Sequence, residues 1–198
     1  MTTILILAAV LFTSSSCYFF VYRNRFKSDF PWLVSFVTVI SYLVMIMNIN
    51  VGADPTSMLW TRWVGYAMSC TILTASMIEI FGIEGKKKVV ALISTGLIML
   101  TGVLAAVATN THFLILFFAL GMIPFISLIS IFRSKAQAAN HYVLNYLYYG
   151  WMAFPIIFIL SPETFNIVPS LPIILGAYLI ADFCTKIIFY MHTRTLIS

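Results

Sequence analysis

Charged residues are scarce in this sequence. Lysine, arginine, aspartate and glutamate make up only 9% of the 198 residues, whereas 62% are hydrophobic, and the mean hydropathy is +1.02. So few charges cannot solvate the surface of a globular domain of this length, and the composition is typical of a membrane protein. The net charge of +5 does not indicate nucleic-acid binding, because the basic residues lie between apolar segments.

Cysteine and histidine are also sparse, which excludes several kinds of site. Three cysteines fall inside apolar runs and imply no disulfide framework: Cys17, Cys70 and Cys184. His112 and His141 lie at segment ends on opposite sides, and His192 follows the last segment, so no metal site is assembled. A phosphate-binding glycine loop and a Ser/His/Asp set at one depth are missing as well. The sequence gives no support to hydrolytic or metal-dependent catalysis, and we do not expect an enzyme.

Long apolar runs account for nearly the whole chain. Seven of them have the length of a membrane-spanning helix, over residues 2–22, 32–50, 58–81, 89–108, 112–132, 142–160 and 171–191. Short polar joints separate them, and the basic residues follow the first run rather than precede it, which argues against a cleaved signal peptide. We therefore predict an all-α, multi-pass protein of the cell membrane, with one seven-helix domain over residues 1–198 embedded in the lipid bilayer.

The distribution of basic residues predicts the orientation of this bundle. Nine of the eleven follow odd-numbered segments: Arg23, Arg25, Lys27, Lys86, Lys87, Lys88, Arg133, Lys135 and Arg194. The other two, Arg62 and Lys186, lie within segments. Because basic residues accumulate on the cytoplasmic side, we expect the N-terminus outside and the C-terminus in the cytoplasm.

The seventh segment contains two ionisable residues, Asp182 and Lys186. A charge at the centre of a membrane helix costs about 2.5–3.5 kcal/mol, so such residues indicate a functional site. Their spacing of four places them on one helix face, and the usual lean of helical side chains directs the lysine toward the carboxylate. The alternative is that Lys186 extends to the water interface near His192, which would leave Asp182 unpaired in lipid.

The third segment carries one stripe at three- and four-residue steps, formed by Arg62, Gly65 or Tyr66, Ser69, Leu73 and Ser76. A buried arginine needs an anionic partner, and Asp182 is the only deep carboxylate, so we expect an Arg62–Asp182–Lys186 cluster. Glu79 lies near the cytoplasmic end, either as an interfacial carboxylate or as part of a proton path. Ser76 either bonds to its own helix or takes part in that path.

The sixth segment contains aromatic residues and a proline at helical spacing, namely Tyr148, Trp151, Phe154, Pro155 and Phe158. Such aromatics usually pack a core, and a proline in mid-segment is usually a tolerated kink. The alternative is that they line a ligand pocket, since pockets between bundle helices are commonly aromatic.

These motifs together resemble the microbial rhodopsins over essentially the whole chain. They are DxxxK (Asp182, Lys186) in the seventh segment, RWxxY (Arg62, Tyr66) in the third and WxxFP in the sixth. A buried lysine is also what Schiff-base chemistry with an aldehyde requires.

The resemblance implies that Lys186 binds all-trans retinal covalently as a Schiff base and that Asp182 is its counterion. It implies a retinal pocket formed by Tyr66, Cys70, Leu73, Trp151, Phe154, Pro155, Phe158 and Thr185. Tyr42 falls where the family often has a tyrosine bonded to the carboxylate of the seventh helix. The family also implies a homo-oligomer, often a trimer.

Within that superfamily the short chain, the single deep carboxylate and YxxSC (Tyr66, Ser69, Cys70) look most like the schizorhodopsins. Those proteins are inward proton pumps with a Phe-Ser-Glu signature on the third helix. This sequence has Gly65 in place of the phenylalanine and Ser76 in place of the glutamate, and Glu79 follows about one turn later. The heliorhodopsins are a poorer match, because they have the opposite orientation in the membrane.

An outward pump needs a proton-accepting carboxylate and a cytoplasmic donor on the third helix, and neither Gly65 nor Ser76 can serve. We therefore expect a light-driven inward proton transporter with a proton path through Tyr42, Arg62, Ser69, Ser76 and Glu79. Gly65 is expected to leave room for water beside the Schiff base, which would make the protein leaky or slow. The alternatives are a photosensory or weakly transporting rhodopsin, and a non-retinal membrane protein with a buried Asp–Lys pair.

Overall fold

In a computed structural model, the described residues form seven helices that are long enough to span a membrane. The structure describes residues 1–198 except 53, 54, 139, 163, 195, 197 and 198, and it does not describe the side chains of residues 55–60. The helices are α1 (Thr2–Val21), α2 (Phe30–Asn50), α3 (Pro55–Ile80), α4 (Gly85–Ala106), α5 (Thr111–Arg133), α6 (His141–Leu160) and α7 (Leu171–Thr193). A short helical turn, Arg23–Phe26, lies between α1 and α2.

The predicted all-α fold with seven membrane helices is confirmed, and the described residues contain no strand. The helix ends agree with the predicted segments to within a few residues, and α4 differs most, because it begins at Gly85 rather than at residue 89. The joint between α2 and α3 includes residues 53 and 54, which lie outside the described part of the chain.

Local sequence signals explain where several helices begin. Pro31 lies in the first turn of α2 and Pro172 in the first turn of α7, where a missing backbone N–H costs nothing. Asn110 caps α5, since its side-chain oxygen accepts a hydrogen bond from the His112 backbone N–H at 2.8 Å. The turn from α3 to α4 uses Gly82 and Gly85 at φ of +57° and +59°, a conformation that favours glycine.

The bundle closes into a ring of helices. Helices α1 to α5 pack each against the next along the chain, α6 packs against α7, and α7 returns to α1. Phe118 of α5 and Phe158 of α6 stack at 6.5 Å between ring centroids and join the two parts of the ring. This arrangement places α3 opposite α6 and α7 across a common interior.

The surface of the bundle is apolar, and charged residues lie buried in its interior. Leu7, Ile123 and Ile180 are 59%, 65% and 66% exposed, whereas Arg62 and Lys186 are 4% and 1% exposed. Such a large exposed apolar surface suits a lipid environment, because in water it would drive association. The fold therefore agrees with the membrane composition of the sequence.

Two helices depart from regular α geometry, which the sequence analysis did not predict. Helix α6 begins with a 3-10 turn, His141–Val143, and continues through a π-helical segment, Tyr146–Trp151. Helix α7 contains a second π-helical segment, Phe183–Ile188, directly after Asp182. The two π segments pack against each other, and π segments of this kind are frequent at functional sites.

The orientation predicted from the basic residues can be tested by cysteine labelling in intact cells. Thr109→Cys lies between α4 and α5, and Ser134→Cys lies just after α5 at the opposite end of the bundle. We expect an impermeant thiol reagent to label only the first, because the basic residues follow the odd-numbered helices. Both substitutions are best made with Cys17, the exposed native thiol, replaced by alanine. The reverse labelling pattern would contradict the orientation.

Candidate functional site

The centre of the site is an ion pair between Asp182 and Lys186. The Lys186 Nζ lies 2.8 Å from the Asp182 Oδ1, and both residues are only 1% exposed. The pairing expected from their spacing is thus present, and the alternative in which Lys186 extends to the interface is wrong. Two charges removed from water are stable only when they are well paired and hydrogen-bonded, which makes their other partners important.

Two tyrosines from other helices bind the second oxygen of the carboxylate. Tyr42 of α2 donates its hydroxyl hydrogen to the Asp182 Oδ2 at 2.8 Å, and Tyr66 of α3 donates to the same atom at 3.4 Å. Hydrogen bonds to a charged acceptor are stronger than bonds between neutral groups. The Lys186 amine also lies 4.8 Å from the centre of the Tyr66 ring, so Tyr66 contacts both members of the pair.

Arg62 lies close to this pair but toward the opposite end from Glu79. It borders the same small polar cavity as Asp182 and Lys186, so the three residues are brought together as expected. Its guanidinium carbon lies 4.2 Å from the centre of the Tyr178 ring, a buried cation–π contact. The sequence analysis missed Tyr178, although it precedes Asp182 by one helical turn on the same face.

Gly65 of α3 borders the same small cavity as Arg62, Asp182 and Lys186. A Cβ atom at Gly65 would collide with the Ser41 side chain of α2, so Ser41 occupies the space that a larger residue would take. The expectation that Gly65 leaves room for water beside the lysine stays a prediction, because Gly65 also borders the small cavity next to Lys186 and Asp182. The glycine allows α2 and α3 to approach closely, and this approach brings Tyr42 within reach of Asp182.

A large apolar cavity opens on the other side of the lysine. It has a volume of about 100 Å³ and lies between α3, α4, α5, α6 and α7. All eight residues named above for a pocket border it together with Lys186: Tyr66, Cys70, Leu73, Trp151, Phe154, Pro155, Phe158 and Thr185. The aromatic residues of α6 were expected either to pack a core or to line a ligand pocket. The structure supports the second reading, because Trp151, Phe154 and Phe158 border the cavity.

The sequence analysis missed the walls that α4 and α5 contribute, which are Ile98, Met99, Thr101, Gly102, Phe117, Phe118, Gly121, Met122 and Phe125. Both segments lack a charge in their central part and contain only a few serines and threonines, and no pocket residue was assigned from them. Gly102 and Gly121 were the residues that could have indicated where these helices approach their neighbours. A Cβ at Gly102 would collide with the Trp63 ring, and one at Gly121 would lie 2.6 Å from the Thr101 Oγ1.

The two π segments position the residues at the closed end of the cavity. Trp151 ends the segment in α6, and Lys186 lies within the segment in α7. A Cβ at Gly150 would lie 2.7 Å from the Thr185 Cγ2, so the glycine permits the close contact between the segments. This contact places the Trp151 ring and the Lys186 amine at one cavity.

The remaining residues of the expected proton path lie along α3. Ser69 and Ser76 are fully buried, and their Oγ atoms make no hydrogen bond to a residue that the structure describes. The reading in which Ser76 bonds to its own helix is therefore wrong. Glu79 is exposed near the end of α3, which agrees with either reading of this carboxylate.

A seven-helix membrane protein with a carboxylate-paired lysine at an internal apolar cavity is the class that this fold and site define. The chain belongs to the bacteriorhodopsin-like protein family, whose sequence model matches residues 1–196. The resemblance to microbial rhodopsins is thereby confirmed, and the protein is a multi-pass membrane protein. No curated protein matches the chain.

Solved structures give the same result. The chain is similar to schizorhodopsin 4, with 27% identity, a TM-score of 0.87 and coverage of 98% of both chains. It shares the fold of cyanorhodopsin N2098R from Calothrix sp. NIES-2098, with 17% identity, a TM-score of 0.84 and coverage of 98% and 93%. It also shares the fold of the proton pumping rhodopsin AR2 from Acetabularia acetabulum, with 14% identity, a TM-score of 0.87 and coverage of 98% and 93%.

The two tyrosine hydrogen bonds make unequal contributions that can be measured. We expect Tyr42→Phe to lower the free energy of unfolding by about 1.5–3 kcal/mol, because a buried carboxylate loses a charge-assisted hydrogen bond. Tyr66→Phe should cost less, because its bond is longer by 0.6 Å, the difference between 3.4 and 2.8 Å. Unfolding of both variants in detergent micelles measures the two costs. A larger loss for Tyr66→Phe would contradict this order.

Proposed function

We propose that the chain binds all-trans retinal as a Schiff base on Lys186 and acts as a light-driven inward proton transporter. The observation that carries the proposal is the position of the Lys186 amine, which is buried at the apolar cavity and held 2.8 Å from the Asp182 carboxylate. Asp182 is the counterion in this proposal. The bacteriorhodopsin-like family supports it, because a Schiff-base lysine is the general cofactor attachment in that family.

The residues present fit a long apolar ligand with one reactive end. The cavity is lined almost entirely by carbon, and its charged group is the Lys186 amine. Phe154, Phe158 and Trp151 form one wall from α6, and Leu73 with Cys70 forms another from α3. When bound, retinal supplies absorption of visible light and a change of shape at the lysine nitrogen.

The environment of Asp182 supports inward rather than outward movement of protons. Its carboxylate forms an ion pair with Lys186 through Oδ1 and accepts hydrogen bonds from Tyr42 and Tyr66 at Oδ2. Both oxygens therefore already have partners, and these contacts would have to rearrange before the carboxylate could take up a proton from the lysine nitrogen. Ser69 and Ser76, whose hydroxyls have no described partner, offer polar groups on the way to Glu79 instead.

A photosensor that moves no net charge is the second candidate, and one observation favours it. Leu73 lies between Ser69 and Ser76 on the same face of α3 and is only 1% exposed. Its apolar side chain interrupts the line of hydroxyls, and a proton cannot cross it without movement of the helices or entry of water. The transport measurement below separates the two candidates.

Retinal binding can be tested with the expressed protein. Addition of all-trans retinal should produce an absorption band in the visible range, and Lys186→Ala should abolish it, because the variant has no amine to form the bond. Thr193→Val is a matched control on α7, since the Thr193 hydroxyl bonds to the Phe189 carbonyl away from the cavity. A band that persists in Lys186→Ala would refute the attachment site, and the absence of any visible band would support the non-retinal alternative.

The direction of transport can be read from whole cells in weakly buffered medium. Illumination should make the medium alkaline, because protons move from outside to the cytoplasm, and a protonophore should abolish the change. Acidification would show outward pumping, whereas a pigment that gives no pH change would support the photosensor. Glu79→Gln should lower the initial rate if the carboxylate belongs to the path, and an unchanged rate would make it an interfacial charge only.

A further inference from the structure

Tyr190 is a buried tyrosine that the function proposed above does not use. It follows Lys186 by one helical turn on α7, and its side chain is fully buried. The rings of Phe19 and Phe189 pack against it at 6.1 and 5.0 Å between centroids. Its hydroxyl makes no hydrogen bond to a described residue, although buried hydroxyls normally have a partner.

Ser76 of α3 places a second such hydroxyl beside the first. Ser76 is fully buried as well, and its Oγ has no hydrogen-bond partner of good geometry within the described chain. The two hydroxyls are nevertheless close enough to interact, and the Glu79 carboxylate acts electrostatically on Tyr190. Helices α3 and α7 thus bring two unsatisfied hydroxyls together, and Glu79 follows Ser76 by about one turn on α3.

These two hydroxyls cannot satisfy each other completely. If Tyr190 donates to Ser76, the hydrogen of the serine still needs an acceptor, and the reverse is equally true. The carbonyl one turn back, which usually accepts from a helical serine, is not used by Ser76. Buried water molecules occupy sites of this kind, where they bond to polar groups that the protein leaves unsatisfied.

Ser35 of α2 provides a third unsatisfied hydroxyl at a similar depth. It is fully buried, and its Oγ makes no hydrogen bond to the described residues. Ser35 precedes Tyr42 along α2, and Tyr190 follows Asp182 along α7, which runs the opposite way. At about 1.5 Å per residue both lie roughly 10–12 Å from the Tyr42–Asp182 bond toward the same side of the membrane. Unsatisfied hydroxyls from three helices therefore occur in one layer.

We propose that Tyr190 and Ser76 bind an internal water molecule between α3 and α7, and that this hydrated site passes protons from the side of Lys186 to Glu79. The inference rests on the proposed function, because it adds a proton-transfer site to the inward proton path. The bound water accepts a proton on the side of Lys186 and releases one toward Glu79. Tyr190 and Ser76 hold the water in position and are unchanged at the end of the transfer.

The first test compares three variants in the light-driven alkalinisation of the medium. Tyr190→Phe removes the hydroxyl and keeps the ring, and we expect the initial rate to fall about 10- to 100-fold, as for loss of a positioned proton-transfer group. Ser76→Ala should lower it in the same way. Thr193→Val is the control, because its buried hydroxyl already bonds to the Phe189 carbonyl at 2.8 Å, and its rate should be unchanged. Unchanged transport in Tyr190→Phe would overturn the proposal.

The second test detects the water itself. Infrared difference spectra of the pigment in ordinary water and in water labelled with oxygen-18 should contain an isotope-sensitive O–H band. Tyr190→Phe and Ser76→Ala should both lose this band, whereas Thr193→Val should keep it. A lower transport rate with the band intact would assign Tyr190 a packing role and refute the water site.

Failure of the proposed function gives a different result from failure of this inference. If no visible band forms with retinal, the proposed function fails and the infrared test cannot be made on the pigment. An experimental structure that resolves ordered water then decides the matter on the protein alone. Water between Tyr190 Oη and Ser76 Oγ would support the site, and a direct bond between the two hydroxyls without water would overturn it.

Discussion

The buried charge on Asp182 is the constraint on which the interior of this protein depends. A carboxylate in a membrane bundle is stable only with partners, and these come from three helices, through Lys186 of α7, Tyr42 of α2 and Tyr66 of α3. Those contacts require α2, α3 and α7 to meet at one depth. Gly65 makes the meeting possible, because it allows α2 to approach α3 closely. The apolar cavity then lies on the open side of the lysine.

The fold and the polar half of the site follow from the sequence, because membrane helices and buried charges leave clear signals. Seven apolar runs of the right length predict the helices, and the spacing of Asp182 and Lys186 predicts their contact. The residues bordering the cavity from α3, α6 and α7 could be assigned because each of these helices carries a charge, a proline or a motif. A charge, a proline or a motif in a helix indicates which of its faces points into the bundle.

The rest could not be predicted for equally physical reasons. Helices α4 and α5 have no charge in their central part and few polar residues, so their inner faces were not assigned, and the cavity residues Met99 and Phe118 were missed. The π segments depend on packing between α6 and α7 rather than on composition. The contact between Gly65 and Ser41 was not foreseen, because a glycine in one helix says nothing about what the neighbouring helix places beside it.

The facing π segments have a consequence for how the interior can move. A π-helical segment has about one residue more per turn than a regular α-helix. Conversion of such a segment to α geometry therefore changes the register of the residues that follow it. Conversion of Phe183–Ile188 to α geometry would turn the remainder of α7 by about 100° and shift it by about 1.5 Å relative to Asp182. Lys186 would remain four residues, about one turn, from Asp182, so the change of register would fall mainly on the residues that follow the pair. Helix α7 thus contains, next to the Asp182–Lys186 ion pair, a segment in which its register can change.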